Sequence, residues 1–247
     1  IFIVPYTLGH LTESVLGISD YASNISSWFI LFGMLAINVY GNREIAKVRD
    51  DRAELSRTFY EILAMQVFNN LIATAAYVLL IRFTIHENQM IYYLTALSIF
   101  ASCFDIFWFF FGVENFKIVS VRNMTIKILG VVMILLFVKT PGDLWKYVVI
   151  NCGGDLLGNL AMFFSLRKYI DKVPFSFKDA YKHHFMPTFA LFIPTLANSV
   201  YTMLDQTMLG TMIADKGVLT LYKTAQSFVR IFMYFITSIG QRSEERR

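Results

Sequence analysis

Apolar runs of membrane-crossing length recur along this sequence, and they limit what it can fold into. Residues 25–40, ISSWFILFGMLAINVY, carry no charge, and residues 59–81 carry only Glu61. A helix of about 20 such residues crosses roughly 30 Å of hydrocarbon. Charged residues make up 16% of the chain, where a soluble domain has about 25%. The expectation is an all-α, polytopic transmembrane helix bundle. Seven spans fall at about 20–40, 59–82, 90–113, 116–138, 143–166, 186–213 and 218–240, after a remnant of a helix at 1–8. The polar stretch LGHLTESVLGISD before the first span reads as a loop with Gly and Asp as helix-start signals.

Residues 40–57, YGNREIAKVRDDRAELSR, gather nine charged residues between two of these apolar runs. Lys and Arg set orientation by accumulating in cytoplasmic loops, whatever acids accompany them. One alternate set of connectors carries Arg43, Lys47, Arg49, Arg52, Arg57, Lys117, Arg167, Lys168, Lys172, Lys178 and Lys182, and the tail adds Arg242, Arg246 and Arg247. The other set has only Arg82, Lys139, Lys146 and Lys216. The charge-rich segment is therefore a cytoplasmic connector. The basic pI near 9.0 follows from this bias and calls for no nucleic-acid partner. Residues 172–185 read as an interfacial linker that divides an N-terminal lobe, 1–171, from the start of a second, 186–247.

Several chemistries lack their residues. Cys103 and Cys152 lie in apolar runs and read as small buried side chains. The histidines at 10, 86, 183 and 184 show no metal-ligand spacing, and no Gly-rich phosphate loop with Lys and Ser/Thr occurs. The connectors on the outer side are too short for a catalytic domain. No cofactor, metal or enzymatic activity is expected, and any transport must draw on an ion gradient or the substrate's own gradient.

Four cations remain inside the spans, Arg122, Lys127, Lys223 and Arg230, with the acids Asp105, Asp155 and Asp205. A charge at the bilayer centre costs about 3 kcal/mol on insertion scales and persists where it faces a bundle interior or a wet cavity. Residues three, four or seven apart share a helix face. Lys223, Gln226, Ser227 and Arg230 form one such stripe; Asn151, Asp155 and Asn159 a second; Gln66, Asn70 and Thr74 a third; Asn198, Thr202 and Asp205 a fourth. Interhelical hydrogen bonding explains the Asn and Thr members equally well. The Lys223/Arg230 face differs, because two cations on one stripe cannot satisfy each other. They need acids, for which Asp155 and Asp205 are available, or an anionic ligand. Candidate substrate-binding residues are Arg122, Lys127, Asp155, Asn159, Asp205, Lys223, Gln226 and Arg230.

The segments YGNREIAKVRDD (40–51), FDIFWFFFGVENFK (104–117), LFVKTPGDLWKYVVIN (136–151) and YTMLDQTMLG (201–210) resemble the Wzx-type oligosaccharide flippases. These belong to the polysaccharide-transporter family of the multidrug/oligosaccharidyl-lipid/polysaccharide exporter superfamily. The resemblance runs in the family's order over nearly the whole chain. It implies a MATE-like fold of two six-helix lobes around a central cavity, here the first lobe and the start of the second, with the chain truncated at both ends. It implies translocation of an undecaprenyl-diphosphate-linked oligosaccharide across the bacterial cytoplasmic membrane, with a coupling ion as a further partner. The alternative within the superfamily is a cation-coupled multidrug exporter, which would favour acids and aromatics in its cavity. A lipid-linked glycosyltransferase would need clustered carboxylates at a membrane face, and none appears.

Overall fold

A computed structural model describes the backbone of residues 3–244 and the side chains through Arg230 and at Met233. Residues 1 and 2 of the expected remnant and the tail cations Arg242, Arg246 and Arg247 lie outside the described side chains. The described chain is helical throughout, with no strand. Ten helices follow in order: α1 (Ile3–His10), α2 (Glu13–Met34), α3 (Ile37–Val48), α4 (Arg52–Thr84), α5 (Gln89–Ser102), α6 (Phe107–Gly112), α7 (Phe116–Phe137), α8 (Leu144–Leu166), α9 (Phe177–Met212) and α10 (Gly217–Glu244). A 3-10 turn at Pro141–Asp143 leads into α8.

Five stretches are long and apolar enough to cross a membrane: Glu13–Val48, Arg52–Thr84, Gln89–Gly112, Phe116–Phe137 and Pro141–Leu166. At 36 residues α9 has the length, but Pro187, Pro194, Asn198 and Ser199 dilute its apolar character. At 28 residues α10 has the length as well.

Three local expectations change. The stretch read as a polar loop before the first span is helical from Glu13, so Asp20 lies within α2 rather than at its start. The charge-rich connector is nearly all helix. α3 runs to Val48, only residues 49–51 turn, and the Asp51 carboxylate caps α4 by accepting from the backbone N–H groups of Ala53 (2.9 Å) and Glu54 (3.2 Å). The span expected at 90–113 is broken into α5 and α6, with Asp105 accepting from Phe107 N at 3.1 Å to start the second piece.

Each break has a visible cause. Between α2 and α3, Leu35 and Ala36 both adopt left-handed backbone, φ 45° and 62°. Such geometry is costly for residues with a Cβ, so surrounding packing must hold it. It redirects the chain: α2 packs on α4, α5, α9 and α10, while α3 packs on α4, α6 and α9. The α5–α6 break is secured by the fully buried Gln66. Its amide donates to the carbonyls of Ser102 (2.7 Å) and Asp105 (2.8 Å), and its Oε1 accepts from Trp108 Nε1 at 2.9 Å. One turn on, Asn70 accepts from Ser102 Oγ at 2.6 Å. Gln66 thus donates to carbonyls at the helix break, which hydrocarbon could not satisfy, while Asn70 takes up the Ser102 hydroxyl.

The apolar core has two parts. One centres on Tyr77, Ile81, Ile99 and Leu144 towards the α4–α5 end, and the other on Phe59, Trp108, Phe109, Phe110 and Ile45 towards the α3–α4 end. Lipid tails are as apolar as these side chains, so their burial works through close packing rather than release of water. Cys103 and Cys152 are free and buried, as expected of small core residues.

Candidate functional site

The seam between α2 and the α9–α10 pair carries a continuous layer of polar side chains. On α2, Asp20, Asn24 and Trp28 fall four residues apart and share one face. Lys223 Nζ donates to Asp20 Oδ1 at 2.6 Å, and Thr220 Oγ1 donates to Asp20 Oδ2 at 2.8 Å. Thr207 Oγ1 donates to Asn24 Oδ1 at 2.7 Å, and Trp28 Nε1 donates to Thr207 Oγ1 at 2.8 Å. Gln206 Nε2 reaches Gln226 Oε1 at 2.9 Å. Asp205 accepts from Gln226 Nε2 at 3.1 Å and from the Tyr222 hydroxyl.

Glycines permit this close approach. A Cβ on Gly17 would stand 2.0 Å from the Lys216 carbonyl oxygen, and one on Gly210 would stand 2.2 Å from the Tyr21 ring. Small residues at such crossings let polar groups meet directly.

The cation stripe on α10 therefore splits. Lys223 is matched by Asp20, not by Asp155 or Asp205. Side-chain exposures of 28% and 24% leave this pair open to exchange. Arg230 lies seven residues further along, exposed, with no hydrogen-bond or ion-pair partner among the described residues. It sits thirteen residues below Gly217, about 20 Å along the helix axis.

A second polar cluster lies between α7 and α8. Arg122 donates to the Asp155 carbonyl and to Asn159 Oδ1, each at 2.9 Å, and its guanidinium carbon is 5.0 Å from the Phe107 ring centre. The Asp155 carboxylate is 4.0 Å away. Arg122 Nε is buried without a partner. A cavity of about 240 Å³ beside it is lined by Asp105, Asp155, Asn159 and Arg122. Asn159 also donates to the Ala101 carbonyl at 2.8 Å.

Of the expected residues, the structure joins Arg122 with Asp155 and Asn159, and Asp205 with Gln226. It pairs Lys223 with a residue outside the expected set. Lys127 is exposed on α7 with no hydrogen-bond or ion-pair partner among the described residues, though its charge reaches the Asp155 carboxylate. Asn151 bonds only to the Tyr147 carbonyl of its own helix, and Thr202 only to its own helix backbone. Asn198 is exposed.

Two features escaped the sequence reading. Asp20 was masked by its position at an apparent helix start. The other is a chain of contacts at the α3–α4 end. The Tyr40 hydroxyl meets His184 Nδ1 at 2.7 Å, His184 Nε2 meets Glu61 Oε2 at 3.0 Å, and Arg57 Nε donates to Glu61 Oε1 at 2.9 Å. Apart from the i,i+4 step from Arg57 to Glu61, no spacing rule links these residues. Burial holds the His184 imidazole below its ordinary pKa, with Glu61 working against that shift. At the opposite end Asp215, in the α9–α10 turn, accepts from Gly217 N–H and the Ser14 hydroxyl, which hold its carboxyl below the usual carboxylate range.

A helical bundle with five stretches long and apolar enough to cross a membrane is a multi-pass membrane protein. The chain belongs to the polysaccharide biosynthesis protein family, whose family profile matches residues 1–243. No curated protein and no solved structure matches it. Its family places it in polysaccharide biosynthesis, and the family's members are transporters.

Proposed function

We propose that the chain is a flippase that moves an undecaprenyl-diphosphate-linked oligosaccharide from the inner to the outer leaflet of the bacterial cytoplasmic membrane. Residues 1–171 form its first lobe, 172–185 the joint and 186–247 the start of the second. The carrying observation is Arg230, an exposed cation without a partner among the described residues, on one helix with the exchangeable Lys223–Asp20 pair. A diphosphate is anionic and cannot cross hydrocarbon unaided, and Arg or Lys at depth neutralises it. Amides and hydroxyls of Asn24, Gln206, Thr207 and Gln226 suit sugar hydroxyls. Arg122, Lys127, Asp155, Asn159 and Asp205 complete the proposed set, with Arg122 as a second cation inside the first lobe.

The seam suggests how the lobes rock. Polar contacts to the α9–α10 pair lie towards both ends of the bundle: Asp20–Lys223 at one, Tyr40–His184–Glu61 at the other. A diphosphate that takes Lys223 from Asp20 loosens the first end, and the second end then carries the remaining contact. Alternating access needs only such an exchange between two discrete arrangements.

Complementation of a flippase-null strain tests the reading. Arg230→Ala and Lys223→Ala reach normal membrane abundance and fail to restore export. Full restoration by both variants would end the proposal. The carboxylates of Asp105 and Asp155 beside a small cavity favour a second reading, a cation-coupled multidrug exporter. Drug-dependent proton or sodium flux in vesicles would support it.

A further inference from the structure

A cavity of about 810 Å³ opens at the end of the bundle opposite the charge-rich α3–α4 corner. It lies between the start of α2, the α4–α5 turn and the α9–α10 turn, so both lobes contribute to it. Lys and Arg bias puts this end outside the cell. Its walls combine apolar side chains such as Ile18, Ile25 and Leu80 with a cluster of polar groups.

The polar groups at its mouth are free. Tyr92 is 7% exposed. Its hydroxyl has no hydrogen-bond partner among the described residues and is not sealed from the cavity. The Tyr21 hydroxyl likewise has no partner, and the Tyr21 and Tyr92 rings meet edge to face at 6.4 Å. His86, Glu87 and Asn88 line the rim with exposed side chains and no hydrogen-bond partner among the described residues. By contrast the charged groups of the α9–α10 turn are engaged. Asp215 is held by Ser14 and Gly217, while Lys216 donates to the carbonyls of Gly210 and Ile213 and lies over the Tyr21 ring.

The unengaged set therefore contains two phenols, an imidazole, a carboxylate and a carboxamide, and no free cation. This excludes a phosphate as the natural occupant. It offers both donors and acceptors to a neutral group that is itself both, which describes a sugar hydroxyl. The apolar wall accepts the C–H faces of a pyranose, and the volume lies in the range of ordinary ligand sites.

We propose that this cavity is an outward-facing glycan site, in which Tyr92, Tyr21, Glu87 and Asn88 hold the sugar portion of the cargo apart from its charged anchor. The choice of a glycan over another polyol rests on the flippase reading above. Because both lobes line the cavity, a bound glycan bridges them and favours the arrangement that holds them together at this end.

The test uses oligosaccharide released by mild acid from the lipid-linked intermediates of the source cells, labelled at its reducing end. It is titrated against the protein in nanodiscs. The wild type binds saturably, and Tyr92→Phe and Glu87→Gln each weaken binding at least threefold at unchanged thermal midpoints. No saturable binding, or a loss below threefold in both variants, overturns the site. Glu87→Gln lies on an exposed turn, so the test survives if Tyr92→Phe unfolds. Export is scored separately. Export without binding refutes the site alone, and binding without export refutes the flippase reading and leaves the site.

Discussion

Lys223 of α10 and Asp20 of α2 meet at 2.6 Å, and through them the α9–α10 pair grips α2. Because both side chains remain partly open, the pair contributes only about 1 kcal/mol once solvent screening is allowed for. Exchanging the two residues separates structure from function. Asp20→Lys with Lys223→Asp restores the thermal midpoint lost in either single variant. Export stays low, because the cation has moved from α10 to α2. Recovery of full export in the exchanged protein would assign the pair a purely structural role.

Gly158 gives Arg122 its place. A Cβ there would lie 2.3 Å from Arg122 Nε and 2.6 Å from its guanidinium carbon. Gly158→Ala displaces the guanidinium from Asn159 and the Asp155 carbonyl and costs about 1–3 kcal/mol, as overpacked interiors do. Thermal unfolding in detergent measures it. An unchanged midpoint would mean that Arg122 has another position of equal energy.

Gln66 joins three elements through one amide. Gln66→Leu keeps the approximate volume but takes the side-chain partner from the Asp105 carbonyl and the Trp108 N–H, and leaves the Ser102 carbonyl only its 3.3 Å bond from Asp105 N–H. Each such orphan costs about 1–3 kcal/mol. The expected result is a large fall in membrane abundance, with export per molecule unchanged. Normal abundance would show that the α5–α6 break does not need this side chain.

The His184 contact gives a pH dependence. His184 lies on the linker side of α9. It faces Tyr40 and Glu44 from α3 and Glu61 and Arg57 from α4, with His183 beside it. Its folded pKa lies below the unfolded value, so the folded state binds fewer protons. The corresponding stability is present above the ordinary histidine pKa, near 6.5, and is lost as pH falls below it. Thermal midpoints at pH 7.5 and 5.5 differ more in the wild type than in His184→Gln. Equal differences would remove His184 from the acid sensitivity.

Much of this architecture was legible in the sequence, for identifiable reasons. Membrane-length apolar runs survive any tertiary arrangement, because each helix must satisfy its own backbone in lipid. The spans at 59–82, 116–138 and 143–166 accordingly match α4, α7 and α8 closely. The breaks at Leu35–Ala36 and at Ser102–Phe107 were not legible, because neither carries Gly or Pro. Long-range packing and the Gln66 amide produce them. Periodicity found polar faces but not partners. It set Asn70 and Gln66 beside Asn159 as equals, whereas Gln66 and Asn70 serve a helix break and Asn159 anchors Arg122. It offered Asp155 and Asp205 as acids for Lys223, because the actual partner, Asp20, lies some two hundred residues away.

The most direct test of the central claim measures binding of undecaprenyl diphosphate to the protein in nanodiscs, for the wild type and for Arg230→Gln. If the α10 cations receive the diphosphate, the variant binds at least tenfold more weakly and the wild-type affinity falls steeply with salt. Equal affinity in the two proteins would contradict the account.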